Sequence, residues 1–270
     1  MKTMVKDLEK IKSLLENNEN FAYTRFSDGE LMVMFGVKIV IAPDYYEIGD
    51  HGIQFQKHGI EEEKYFIPDM HQHQREAVIG SFQYKAKNYF KGLSNKESLK
   101  ARNDACTFEN QMSLYGNDPE HLTFANLLIN GNYSKFIEEI VPLFSGKRVV
   151  YVGPRNGDIS KLPFDVVKDF RVGPDCIRND FNLVEEIPAW IRENKIKDHL
   201  FLFTAGSLSE CAIHRCFENE PENTYMDVGS SLNPFIPGLD GWKVNRGCLK
   251  SYWFDDHHDD LIDLIDVWED

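Results

Sequence analysis

Six consecutive residues carry the densest chemistry in the sequence. Arg25-Phe26-Ser27-Asp28-Gly29-Glu30 sets a cation, a hydroxyl and two carboxylates side by side. Hard oxygen acids at Asp28 and Glu30 could hold a divalent cation such as Mg²⁺ or Mn²⁺, or one of them could take a proton as a general base. Arg25 could pair with a phosphate or fix the two carboxylates. Ser27 and Glu30 also read as a capping box, in which the hydroxyl bonds the third backbone N–H of a helix and the glutamate reaches back. Capping accounts for Ser27 and Glu30 but gives no reason for Arg25, Asp28 or Gly29. A glycine in the first helical turn costs about 1 kcal/mol relative to alanine, which makes sense if a ligand or metal must approach the backbone closely. Both readings stand at this point.

The flanking residues say how such a cluster would be held. Residues 21–26, FAYTRF, are aromatic and β-prone and read as a short buried strand. Residues 31–35, LMVMF, run without a breaker to Gly36, which suits a short helix ending in glycine. The cluster then sits at a strand-to-helix turn, where α/β folds place their ligands.

Three more such turns follow in the second half. Residues 147–152, KRVVYV, form a strand leading into Gly153-Pro154-Arg155-Asn156-Gly157-Asp158. The GxGxxG spacing is missing, so a dinucleotide fingerprint is not supported; the turn could contact a phosphate or ribose through its backbone, or be a plain turn. After a strand over 164–172 and a helix over 181–192, residues 199–204, HLFLFT, read as a buried strand. Ala205-Gly206-Ser207 then opens a helix over 208–217, and a short strand over 224–229 ends in Asp227 and Gly229, followed by Ser230 and Ser231. Strands alternating with helices at these intervals predict an α/β fold with a Rossmann-like, mostly parallel sheet and helices on both faces. Gly153, Gly206, Asp227 and Gly229 would all lie at the carboxyl edge of that sheet, where ligands bind.

The first half is less regular. Residues 4–17 form an amphipathic helix, residues 37–42 a strand, and 43–70 a long loop over the site. Residues 72–89 have helical spacing with a basic end at Lys85, Lys87 and Lys91. Residues 92–120 are polar and turn-like, and 122–129 and 133–144 read as helices.

The RF-x-DGE pattern of residues 25–30 resembles the signature of the GT-D glycosyltransferases, a family once known only as a domain of unknown function. The likeness continues in chain order through the strand ending Val152-Gly153-Pro154, the Gly206-Ser207 helix start and the Asp227-x-Gly229 strand end, and spans most of residues 21–235. It does not extend to 43–120, an acceptor-side insertion, or to the last residues with the acidic tail 255–270. The resemblance implies Mn²⁺ or Mg²⁺ on Asp28 and Glu30, catalysis by Asp28, Glu30 and Arg25, and a UDP-sugar donor. Its nucleotide would contact Arg25, Ser27, Gly29, Gly153, Pro154, Arg155, Gly206, Ser207, Asp227 and Gly229. The acceptor implied is a hydroxyl on a glycan, with a hydroxymethylated DNA base as the alternative. Rivals from other classes are a nucleotide-binding module without catalysis and a metal-dependent phosphoryl hydrolase.

Bulk composition bounds these options. The chain has 270 residues, 42% hydrophobic and 27% charged, which fits one domain with a sizeable core. A net charge of −14 argues against a generic polyanion-binding surface, which needs clustered Lys and Arg. The lysines at 85, 87 and 91 would have to share one groove to serve DNA. Five scattered cysteines suggest reduced thiols. The charged start is no secretory signal and no run is long enough to span a membrane, so a cytoplasmic location is expected. His71 and His73 read as a polar helix start, and the Asp/His run 255–260 as a solvated tail.

Overall fold

Continuous apolar runs alternating with amphipathic helices fold, in a computed structural model, into one parallel sheet covered on both faces. The structure describes residues 4–27, 30, 33–34, 46–49, 52–55, 72–93, 121–129, 132–173 and 176–237. The strands, in chain order, are β1 (Ala22–Phe26), β2 (Tyr46–Gly49), β3 (Gly52–Phe55), β4 (Tyr89–Leu93), β5 (Leu122–Phe124), β6 (Arg148–Pro154), β7 (Val166–Val172), β8 (His199–Phe203) and β9 (Thr224–Asp227). Seven of them pair in the order β5-β4-β1-β9-β8-β6-β7, every pairing parallel. β2 and β3 form a separate antiparallel hairpin.

Helices α1 (Met4–Glu16), α2 (Gln72–Gln83), α3 (residues 133–144), α4 (Cys176–Asn179), α5 (Leu183–Asn194) and α6 (Ser207–Asn219) supply the two covering layers. The middle of α3, Phe136–Ile140, is π-helical. Strand alternation sorts the core. Leu200 and Leu202 of β8 pack with Leu8, Leu15, Phe136 and Phe144 from α1 and α3. Phe201 and Phe203 pack on the other side with Phe82, Ile187, Leu208 and Ile213 from α2, α5 and α6. A parallel sheet buried on both faces needs continuous apolar strands, and β8 is buried along its whole length.

Several expectations for the first half are corrected. The helix expected over 72–89 stops at Gln83; Asn88 turns the chain with φ +61° and residues from Tyr89 form β4, parallel to β1. The helix expected over 122–129 is instead β5 followed by a turn. Part of the expected loop 43–70 is the β2–β3 hairpin. Lys91 is buried inside β4, its ammonium donating to the Tyr84 carbonyl and standing 5.1 Å from the Tyr89 ring centre, so it is no part of a basic surface with the exposed Lys85 and Lys87. His73, exposed near the start of α2, packs edge-on against Phe181 at 5.2 Å. The expected strand 37–42, His71 and the tail 255–270 lie outside the described residues. Among those described, no helix is long and apolar enough to cross a membrane.

Candidate functional site

The register of β1 against β9 builds the centre of the site. Ala22 pairs with Tyr225 and Tyr23 with Met226, so the carboxyl ends of the two strands deliver Arg25 next to Asp227. Arg25 Nε lies 3.9 Å from Asp227 Oδ2, and Asp227 is buried. Oδ1 of Asp227 accepts the Gly229 N–H at 2.9 Å, an Asx turn that closes the strand end. Gly229 sits at φ +49°, and a Cβ there would meet the Arg25 guanidinium, with Cζ 2.7 Å away. The Asp-x-Gly pair therefore has one explanation: the aspartate ties the turn, and the glycine leaves room for the guanidinium.

Glu30 joins this centre from the turn after β1. Its Oε2 accepts the Ser27 N–H at 3.0 Å and lies 3.3 Å from the Ser27 hydroxyl. The glutamate half of the capping box is thus formed, while Ser27 Oγ bonds the same carboxylate. The other oxygen, Oε1, accepts from Ser207 Oγ at 2.8 Å, which fastens the β1 turn to the start of α6. Burial raises the Glu30 carboxyl above its ordinary range; the Ser207 bond opposes this, Asp227 adds to it and Arg25 opposes it. Asp28 and Gly29 lie outside the described residues.

α6 brings the third acid. Gly206 precedes the helix at φ +53°, ψ −144°, a backbone region closed to residues with a side chain. A Cβ there would enter open space, so the glycine answers to backbone geometry rather than to crowding. One turn into the helix stands Glu210, buried beside Asp227. The sequence reading passed over it. The signal was there: Glu210 precedes Ile213 by three residues and Phe217 by seven, which puts it on the buried stripe.

Glu30 and Asp227 thus both lie near the Arg25 guanidinium, with Glu210 buried beside Asp227. Among the described residues no group of three or more His, Cys, Asp or Glu side chains is set to ligate a metal ion; Glu30 contributes one carboxylate, and its expected partner Asp28 lies outside them.

Gly153 and Pro154 end β6 and Arg155 follows it, separated from β9 by β8. A Cβ on Gly153 would strike Thr204 Oγ1 and the Tyr151 hydroxyl, which bond each other at 2.9 Å. Arg155 Nη2 approaches Asp180 Oδ1 at 3.5 Å, and Asp180 Oδ2 accepts the Gly173 N–H at 2.9 Å. The Arg171 guanidinium donates to the carbonyls of Arg155 and Gly157. Ser231 Oγ donates to the Val228 carbonyl at 2.7 Å, closing the turn after β9. The structure thus brings Arg25, Ser27, Glu30, Ser207, Asp227 and Gly229 together and leaves the β6 turn as a neighbouring group.

No protein-family model and no curated protein matches the chain. Among solved structures, one described as a selenomethionine-substituted domain of unknown function 1792 matches with a TM-score of 0.51 at 15% identity, over 83% of this chain and 77% of its own. This is the fold of the DUF1792 domain. At that identity the likeness is one of fold. Another structure, described as showing that DUF1792 "has a distinct glycosyltransferase fold", matches with a TM-score of 0.48 at 16% identity, over 82% of this chain and 76% of its own. On the DUF1792 fold of the present chain, the acid-rich site lies at the carboxyl ends of β1 and β9.

Proposed function

We propose that this protein is a metal-dependent glycosyltransferase that moves a sugar from a nucleoside-diphosphate sugar, a UDP-sugar, to an acceptor hydroxyl on a glycan. The observation that carries the reading is the convergence of Arg25, Glu30, Ser207 and Asp227 at the sheet's carboxyl edge, within a sequence that carries the RF-x-DGE pattern. In this reading Arg25 faces the donor diphosphate, and the amides at Gly206 and Ser207 present a helix N-terminus to it. Ser27 and Gly229 would contact the nucleotide beside it, while Gly153, Pro154 and Arg155 border that position from the β6 side.

Asp28 and Glu30 would hold Mn²⁺ or Mg²⁺. Such a cation, when bound, neutralises charge on a departing diphosphate. The acceptor oxygen forms a bond to the anomeric carbon as the bond from that carbon to the diphosphate oxygen breaks. The acceptor's proton passes to a carboxylate, Asp28 or Glu30, and the diphosphate leaves with the electron pair. Burial of Lys91 removes one of the three lysines that a DNA acceptor would need, which favours the glycan. Cytoplasmic placement is part of the same proposal.

The test is UDP release from a panel of UDP-sugars with Mn²⁺, with and without glycan acceptors, alongside calorimetry of UDP binding. Release that requires an acceptor, and UDP affinity that falls in EDTA, are expected. Equal affinity in EDTA removes the metal role. Acceptor-independent release makes the protein a hydrolase, and binding without release makes it a nucleotide-binding module.

A further inference from the structure

Two serines open α6, and their hydroxyls serve different ends. Ser209 is buried and serves its own helix, its Oγ accepting the Ala205 N–H at 3.0 Å. That bond ties the turn leading into α6. The first turn then closes through the main chain, Leu208 N–H to the Ala205 carbonyl and Ser209 N–H to the Gly206 carbonyl. Ser207 reaches away from the helix. Its hydroxyl donates to Glu30 Oε1 at 2.8 Å, across 177 positions of sequence.

A serine hydroxyl carries one proton. As metal ligand or as base Glu30 is ionised, and an ionised carboxylate can only accept, so that proton is committed to Oε1. The oxygens of a diphosphate also only accept. The Ser207 hydroxyl therefore has nothing left to donate to the nucleotide, although the amide of the same residue can still face it. The carboxyl end of a glutamate turns about a broad, two-fold torsion, and one bond does not hold it. Ser27 N–H, three residues away in the same turn, fixes Oε2 at 3.0 Å and leaves Oε1 to swing. The Ser207 bond supplies the second point and sets the plane of the carboxyl.

We infer that Ser207 is a positioning residue whose hydroxyl acts through Glu30, aiming its carboxylate, and makes no contact of its own with the nucleotide. The inference rests on the reading of this edge as the donor site and reassigns one side chain within it. Because the Ser207 amide faces the diphosphate while its hydroxyl holds the acid, the donor's seat and the acid's aim shift together.

The test uses Ser207→Ala, Ser207→Thr and the double variant of Ser207→Ala with Glu30→Gln. Ser207→Ala should lose about tenfold or more in kcat for UDP release, the scale of one hydrogen bond to a charged group. Its UDP affinity, measured by calorimetry in EDTA, should be unchanged. Ser207→Thr keeps a hydroxyl and should keep most of kcat. Glu30→Gln leaves only a neutral acceptor, so adding Ser207→Ala to it should cost little further rate, a non-additive cycle. Urea unfolding without metal or substrate should be non-additive in the same sense.

Weaker UDP binding by Ser207→Ala in EDTA makes the hydroxyl a nucleotide contact and overturns the inference. So do an additive loss of rate in the double variant and a threonine variant as slow as the alanine one. Should Ser207→Ala fail to fold, Ser207→Val takes its place: it matches threonine in shape without the hydroxyl, and equal rates for the two overturn the inference. A wild type that releases no UDP from any donor defeats the glycosyltransferase reading instead. The unfolding cycle then decides whether Ser207 holds Glu30, and additive costs there overturn the inference.

Discussion

Two stretches of the same sheet edge look alike in sequence and differ in what they hold. At β6, Gly153 makes room for the protein's own Tyr151 and Thr204. The charges beside it are answered locally, Arg155 by Asp180 and Arg171 by main-chain carbonyls. At β1 and β9, Gly229 makes room for a guanidinium, which acts on both Glu30 and Asp227, with the buried Glu210 behind them. A glycine after a strand is therefore weak evidence of a ligand until the atom that needs the space is known. The β6 edge pairs its charges locally; the β1–β9 edge gathers buried acids whose carboxyls burial pushes up, around Arg25.

The largest effect should come from removing an acid at the β1–β9 edge. Glu30→Gln is expected to lower transfer by about 10²-fold, the usual scale for losing a general base, without lowering the melting temperature at neutral pH. Because burial raises the Glu30 carboxyl, the wild type loses stability relative to the glutamine variant as pH rises from the ordinary glutamate range toward the raised value. Near-normal turnover in a UDP-release assay would reduce this edge to a capped helix. Asp28→Asn should behave alike in activity.

Glycine substitutions sharpen the contrast. Gly229→Ala drives a methyl group into the Arg25 guanidinium at a positive φ, so it should cost about 1–3 kcal/mol in urea unfolding and also weaken UDP binding. Gly153→Ala overpacks Tyr151 and Thr204 and should cost a similar amount, about 1–3 kcal/mol, while calorimetry shows UDP affinity unchanged. If both variants lose affinity, the two edges form one site. The smallest effect is expected from Arg155→Ala. Its side chain is 58% exposed in a 3.5 Å pair, worth about 0–1 kcal/mol. A tenfold loss of UDP affinity, about 1.4 kcal/mol, would bring the β6 turn into the nucleotide site.

The second half of the fold was legible because its strands are unbroken apolar runs and its helices are amphipathic. β4 was not, because YFKGL carries a lysine and a glycine where a buried strand should be apolar; the Lys91 charge is met by the Tyr84 carbonyl and the Tyr89 ring, which no local pattern announces. β5 has only Leu122–Phe124, too short for a period to show. At the site, Arg25, Ser27 and Glu30 could be read from their spacing, and Ser207, Asp227 and Gly229 from strand ends followed by turns. Their convergence depends on β1 lying beside β9, which spacing along the chain does not encode. Glu210 was hidden by its residue type: a glutamate in a helix is ordinarily solvated, and only its place on the buried stripe set it apart.

The pairing of β1 with β9 also fixes when the site can exist. β1 belongs to the earliest part of the sheet to be synthesised, yet the N–H of Tyr225 donates to Phe21 at 2.9 Å, where β9 docks against it. Until that strand leaves the ribosome, β1 has an open edge of the kind that invites mispairing. Contacts so distant in sequence also slow the final docking step. Arg25 then meets Asp227, and Glu30 meets Ser207, only after nearly all of the sheet has been made. Folding and assembly of this site are one late event, and a chain that stops short of β9 has neither half of it in working order.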